Sequence, residues 1–414
     1  MTKPRTPKDL AFAAAKSVWR RMPVDLRRAV AEQLLYGAAP RLPEPDPASL
    51  RPDAPRIVVG LLSSPSGLGQ AARLTMRSYA ARGLDVYGVD LSHAFFENAG
   101  AIEVPYPDGR NHRGPARVLI KINAPYLPYV FKLLGRDFLA QKHITAFWAW
   151  ETPRAPDDWR RGLSFAHEIA APSQFVARAI APLAPERRII VAPYPVALDP
   201  DLPTLPPRTR PVSETDPFTV VSSLNVASGF ERKNPTALVR AFRTAFQGRR
   251  DRRLRLLVSN VERHPPARGL LEDARGGDDT VEITYATFDR AGYWTWHGRP
   301  DMFASLHRAE GFGLGLAESM LMGVATLATD WSANAEWIDA ETGYPVACRQ
   351  VPIADSQRKY EPVPSVTWAD PDEADAVRQF RTAADDDVTR LHRVAAAQIK
   401  ARKIFSTFAP EDVG

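Results

Sequence analysis

Residues 308–337 read RAEGFGLGLAESMLMGVATLATDWSANAEW, and the rest of the chain is organised around them. Gly311, Gly313 and Gly315 stand directly ahead of a helical run, Leu316 to Gly323, and a short strand pattern follows from Ala325 to Thr329. A glycine turn lets the unpaired N–H groups of a helix N-terminus approach an anion, so phosphate is the first ligand this corner points to. Glu310 and Glu318 bracket the turn. Carboxylates there would repel bare phosphate, and the chemistry that suits them is accepting hydrogen bonds from sugar or ribose hydroxyls. Donors for a diphosphate beside acceptors for hydroxyls suit a nucleotide sugar. The plain alternative is a glycine-rich strand-to-helix turn with solvated glutamates.

At 414 residues the chain is too long for one ordinary core and suits two domains. Apolar residues at 44% and charged residues at 25% are the composition of a soluble globular protein. The single cysteine, Cys348, excludes an intramolecular disulfide framework and any multi-cysteine metal cluster, and favours a reducing compartment. No apolar run approaches membrane-spanning length. The first residues carry charges where a signal peptide needs its apolar segment, so the expectation is a cytoplasmic protein. The net charge of +6 is dispersed and fits phosphate-bearing substrates or an anionic membrane surface. With no zinc-finger or single-strand-binding motif beside it, it does not point to nucleic acid.

Residues 7–36 carry a helical pattern, with Lys16, Arg20, Arg21, Arg27 and Arg28 among its apolar positions. Such a segment either packs on its own domain or lies on an anionic membrane. A Pro-rich linker, 39–56, leads to a first buried strand, Ile57 to Leu62. Gly67 and Gly69 follow in a loop that matches neither a P-loop nor a dinucleotide fingerprint, yet would cradle a phosphate or make room for a sugar. Further strands are expected at Leu84–Val89, at Arg117–Asn123 and at Ile144–Glu151, the last closing on Glu151. EIAAPSQFVARAI then gives a short strand and a helix capped by Ser173. Strand, glycine loop, helix and strand imply a parallel α/β domain with its ligand edge at the strand carboxyl ends.

Prolines at 200, 203, 206, 207, 211 and 217 mark a second linker, and Phe218–Leu224 restarts a strand. Arg232 and Lys233 sit in the next loop ahead of Pro235, which suits a first helical turn. Two cations at a strand's carboxyl end can neutralise a diphosphate leaving group; the other reading is a solvated basic loop. Strands are expected at Arg255–Ser259, Val281–Tyr285 and Asp301–Leu306, with a loop or irregular helix over 262–279. His297 and His307 are expected in a polar loop and at a core edge, and do not make a zinc site.

These motifs together resemble the retaining glycosyltransferases of the GT-B fold, family 4. Glu310 and Glu318 match its E-x7-E pair, with GFGL inside and GVATLATD behind. Trp148, Trp150, Glu151, Pro153, Arg154, Pro156 and Trp159 resemble the W-x-W-E-x-P-R-x-P-x-x-W stretch of one branch, and Arg232–Pro235 its R-K-N-P form. Ser228 stands where many members carry an arginine, so Arg232 would supply that charge. Ser332, Asn334 and Glu336 resemble a T-x-x-G-x-x-E passage, with Ala333 in place of glycine. The resemblance covers nearly everything after residue 57.

It implies an α/β GT-B fold: two Rossmann-like parallel-sheet domains facing a cleft, with an extra helical N-terminal segment. The expected division is 1–56, that segment and its linker; 57–205, the acceptor side; 206–386, the nucleotide-sugar donor side; and 387–414, a helix crossing back to the first domain. The implied reaction moves a sugar from a nucleoside-diphosphate sugar to an acceptor hydroxyl with retention, without metal or cofactor, the leaving phosphate itself taking the acceptor proton. Lys233 and Arg232, assisted by the turn Gly311, Phe312, Gly313, Leu314 and Gly315, would hold the diphosphate. Glu318 would take the ribose, and Glu310 the donor sugar and the positive charge on its anomeric carbon. Gly67 and Gly69 would wall the donor, while Glu151, Trp150 and Arg154 line the acceptor side. The acceptor would be a glycan or lipid-linked saccharide at the inner membrane face, with peripheral contact to anionic lipid. A non-catalytic GT-B protein that binds a sugar nucleotide or glycan, and a GT-B epimerase or glycogen-type synthase, are the competing readings.

Overall fold

The computed structural model describes residues 33, 35–95, 102–206, 208, 211–360, 363 and 365–408. Most of the amphipathic segment 7–36 lies outside them. Residues 35–38 are helical, and the linker that follows lies against the first sheet. Asp46 caps the 3-10 turn Pro47–Leu50 by accepting from the Ala48 N–H at 2.8 Å, and His167 Nε2 lies 2.9 Å from the Pro43 carbonyl.

The first sheet is parallel and contains β1 (Arg56–Gly60), β2 (Val86–Asp90), β3 (Ala116–Ile120), β4 (Lys142–Phe147), β5 (Glu168–Ala171) and β6 (Ile189–Val191), in the order β2-β1-β3-β4-β5-β6. All residues of β1 and β4 are buried, as expected of parallel strands covered on both faces. The order reverses between β1 and β3, which opens a crevice at their carboxyl ends. Into it runs the loop that leads to helix α1 (Gly67–Ala81), whose cap is Ser66. The strand expected to close on Glu151 ends at Phe147 instead. Beyond it the Asn123 side chain takes a strand's place, accepting from Ala149 N–H at 2.9 Å and donating to its carbonyl at 3.0 Å. The longer helices on this sheet besides α1 are α2 (Leu127–Leu139) and α3 (Gln174–Ile180), and a single helical turn, Ser92–Phe95, follows β2.

The second sheet is also parallel: β7 (Phe218–Asn225), β8 (Arg252–Ser259), β9 (Val281–Tyr285), β10 (Met302–Ser305), β11 (Ala325–Thr329) and β12 (Tyr344–Val346), ordered β12-β11-β10-β7-β8-β9. The chain runs outward from β7 to β9 and returns with β10 beside β7. Its helices are α4 (Phe230–Lys233), α5 (Pro235–Ala245), α6 (Pro266–Arg275), α7 (Arg290–His297) and α8 (Leu314–Met322), followed after β12 by α9 (Glu373–Asp385) and α10 (Asp387–Ile404). Where the sequence pointed to a loop or irregular helix, α6 is regular. Pro265 and Pro266 open it, Ala267, Leu271 and Ala274 bury one face, and Gly276 closes it at φ +54°.

An antiparallel hairpin of β13 (Cys348–Pro352) and β14 (Thr367–Pro371) stands apart from the main sheets. Past α10 the chain returns to the first sheet: Phe405 and Phe408 are buried, Ala197 N–H donates to the Phe405 carbonyl at 3.0 Å, and Phe408 N–H to Ser78 Oγ at 2.7 Å. A single apolar cluster joins both halves, including Leu62 and Tyr194 from the first with Phe312, Leu316, Trp337 and Phe405 from the second.

Candidate active site

Strand order alone brings the two cations and Glu310 together. Because β10 returns beside β7, the segments that leave their carboxyl ends are neighbours, and these carry Arg232–Lys233 and Glu310. Arg232 and Lys233 lie not in an open loop but in the single helical turn α4. Asn234 ends that turn in the left-handed region at φ +50°, and its side chain donates to the Leu306 carbonyl at 3.0 Å. Pro235 then starts α5.

Arg232 is 3% exposed and almost fully engaged. Its guanidinium donates to the Ala309 carbonyl at 2.7 Å and twice to the Ser228 carbonyl, at 2.9 and 3.2 Å, and faces Glu310 at 3.3 Å and Glu151 at 3.9 Å. The Ser228 backbone thus holds Arg232. Lys233 makes an ion pair with the other Glu310 oxygen. Burial alone would push the Glu310 carboxyl up, but Lys233 and then Arg232 outweigh it and hold the pKa at about 2. For Lys233 burial is the larger effect and lowers its pKa, with Glu310 opposing. The backbone that carries the carboxylate is itself held: Glu310 N–H donates to Ser332 Oγ at 2.9 Å.

Glu318 does not stand open to a ribose. It is 5% exposed and accepts from Arg290 at 2.8 Å; the same guanidinium nitrogen pairs with Asp199. Burial raises the Glu318 pKa, and Arg290 works against the rise. Asp199 in turn accepts from Gln70 of α1 at 2.9 Å and lies 3.7 Å from Arg77, so this network runs between the two halves. Reading the residues one by one missed Arg290 and Asp199. The available signal was Asp289, a helix cap that places Arg290 at the start of α7 and thus at the sheet's ligand edge.

The glycines divide by task. Gly313 has φ +94° and caps α8, a conformation that excludes most side chains. A Cβ on Gly311 would stand 2.5 Å from the Trp150 carbonyl, and one on Gly315 2.8 Å from the Phe303 ring, so both are places of close packing. A Cβ on Gly67 would stand 3.3 Å from the Leu314 side chain: the N-termini of α1 and α8 converge across the crevice. Gly69 differs, since its α-carbon faces the Leu61 and Ser64 carbonyls of its own loop. Phe312 turns into the shared core against Tyr194, with centroids 4.6 Å apart.

Of the acceptor-side group, Glu151 reaches Arg232, while Trp150 and Arg154 have other partners. The Trp150 ring packs between Trp159 and Tyr360, at 5.2 and 5.6 Å, and its N–H donates to Thr152 and to the Arg154 carbonyl. The exposed Arg154 side chain pairs with Asp157 at 2.8 Å. Tyr360 is a further residue beside the site. It comes from the hairpin's connecting segment, which is tied down by Gln357 accepting from the Phe230 N–H at 2.7 Å. His297 and His307, expected in a loop and at a core edge, are both buried, and burial brings each to a pKa of about 4. His307 bridges Ser305 and Asn334 at 3.0 and 2.8 Å.

The second half also clasps the first. Glu336 accepts from the Gln174 and Phe175 N–H groups at 3.0 and 2.6 Å, capping α3 from across the cleft, and Ser173 Oγ donates to the Gly311 carbonyl at 3.0 Å.

No protein-family model matches the chain, and no curated protein matches its sequence. Solved structures do match. A glycosyltransferase from Rickettsia africae is 14% identical with a TM-score of 0.55, the match covering 86% of this chain and 95% of that one. Anabaena HepE, solved in complex with UDP and glucose, is 13% identical with a TM-score of 0.55, covering 85% and 95%. Against Staphylococcus aureus TarM and the pneumococcal O-GlcNAc transferase GtfA, the match spans only about half of the other chain, 52% and 55%. The fold is that of GT-B proteins: two Rossmann-like sheets flanking a cleft.

Proposed function

We propose that this chain is a retaining glycosyltransferase that moves a sugar from a nucleoside-diphosphate sugar to an acceptor hydroxyl. The observation that carries the reading is the meeting of two helix N-termini, at Gly67 and Leu314, in the crevice that also receives Arg232, Lys233 and Glu310. Two positive dipole ends and two cations favour a diphosphate there. In this reading the Lys233 ammonium exchanges Glu310 for the diphosphate and, with Arg232 and the 311–315 turn, stabilises that leaving group. The freed Glu310 carboxylate then faces the donor sugar and steadies charge at its anomeric carbon. Ribose hydroxyls exchange with Arg290 on Glu318. Retention follows a front-face route in which the phosphate oxygen accepts the acceptor proton. It is distinct from a mechanism using two glycosidase-type carboxylates.

The acceptor is a glycan or lipid-linked saccharide met on the Glu151 side, and the enzyme works at the cytoplasmic membrane face through peripheral contact with anionic lipid. No described helix is long and apolar enough to cross a membrane. The donor domain runs from about residue 206 and the acceptor domain from about residue 57. The reading is tested by supplying UDP-, GDP-, ADP- and TDP-sugars and following nucleoside-diphosphate release. Lys233→Ala and Arg232→Ala are expected to slow release by about 100-fold or more. Selective binding without release, with or without acceptor, would support the non-catalytic alternative instead. Flotation with anionic vesicles tests the membrane contact, which fails if the protein stays with the soluble fraction.

A further inference from the structure

Helix α10 buries one side and leaves another bare. Ala397 and Ala401 are buried, while Val388 is 81% exposed, Leu391 44% and Ile399 74%. At 3.6 residues per turn these three and the exposed Ala395 fall on one stripe. Isolated exposed apolar residues are ordinary, but a stripe of them along one helix is an interaction surface. Its ends carry opposite charge. Asp385, Asp386 and Asp387 stand at the start, and the exposed Arg402 and Lys403 at the end. Among the described residues Arg402 and Lys403 make no ion pair.

The stripe is also symmetric about Ala395. Asp387, Leu391, Ala395, Ile399 and Lys403 follow at intervals of four, so Leu391 and Ile399 are equidistant from Ala395, as are Asp387 and Lys403. Rows spaced by four are the ridges of the commonest helix packing, in which two helices cross at about −50° and 8–10 Å apart. A two-fold axis through Ala395 would align this row with its antiparallel copy. Leu391 then meets Ile399 of the second copy, Asp387, which pairs with Arg390 of its own helix at 2.6 Å, also meets Lys403, and the small Ala395 lets the backbones approach. An anionic membrane fits this face less well than a second copy, because one end carries Asp385, Asp386 and Asp387, of which Asp385 pairs with Arg252 and Asp387 with Arg390.

We propose that the chain forms a two-fold symmetric dimer through α10, with a second copy of itself as the occupant of the stripe. The inference is independent of the sugar-transfer reading, since mass and turnover are measured separately. The test is sedimentation of the full chain over a wide concentration range, with melting temperature as a check on folding. The wild type should approach twice the chain's mass as concentration rises. Leu391→Glu, which alters an exposed position twice per dimer, should weaken dimerisation about 100-fold without lowering the melting temperature of the dilute, monomeric protein. Asp387→Lys and Lys403→Asp should each weaken it, and the double reversal should restore it.

A wild type that stays monomeric at every concentration would overturn the proposal. So would a dimer indifferent to Leu391→Glu, or a double reversal no better than the singles. A monomer that instead floats with anionic vesicles, and loses that on Leu391→Glu, would overturn it in favour of lipid.

Discussion

At Glu310, burial and charge pull in opposite directions, and the sign of the balance can be measured. Its folded pKa of about 2 lies below the ordinary 4.5, so the carboxylate contributes stability above pH 4.5 that is lost as pH falls toward 2. The shift corresponds to roughly 3 kcal/mol at neutral pH as an upper bound, because the lowered pKa of its partner Lys233 works against it. Glu310→Gln should therefore destabilise the protein near pH 7 by up to that amount. Chemical denaturation should show the gap between variant and wild type closing between pH 4.5 and 2; a constant gap would mean that the ion pairs with Lys233 and Arg232 do not set this pKa. The sequence displayed these three residues as chemistry at strand ends, yet not as partners. Their meeting depends on β10 returning beside β7, which no local pattern encodes. The pairing of Arg290 was illegible for a similar reason, since its carboxylates come from α8 and from a linker, although the Asp289 cap marked its place.

Among the elements, the turn before α8 and the cap of α3 do the joining. Gly311→Ala would drive a methyl group against the Trp150 carbonyl and is expected to part the two halves. Glu336→Ala removes two charge-assisted bonds to α3 and should cost about 1–2 kcal/mol. Both variants should show faster proteolysis of the segment around residue 200, measured against wild type. Unchanged cleavage would mean that the clasp does not hold the halves together. Strand and helix patterns were readable where apolar runs met glycine or proline, as at β1 and α5. Charge hid the order of α6, whose buried face consists of small residues and one leucine. The segment holding Tyr360 escaped notice because its meaning lies in what it covers, Arg232 and Trp150, and not in its own composition.

At the scale of the whole molecule, the two sheets are already docked, with Lys233 spent on Glu310 and Arg290 on Glu318. If the site takes a nucleotide sugar as proposed, that ligand has to exchange with these internal ion pairs, so affinity should follow charge and not shape alone. The two-sheet architecture was legible in the sequence through the repeated strand, glycine-turn and helix order and through the linker around 198–217. Its closure was not, because the Glu336 cap and the return of Phe408 to α1 join residues far apart in the chain. The most direct test is ligand-detected binding of UDP-, GDP-, ADP- and TDP-sugars to the wild type, Lys233→Ala and Glu318→Ala proteins. Selective binding of one donor class by the wild type and clear weakening in both variants are expected. A folded wild type that binds none of them, or variants that bind as the wild type does, would contradict the proposed function.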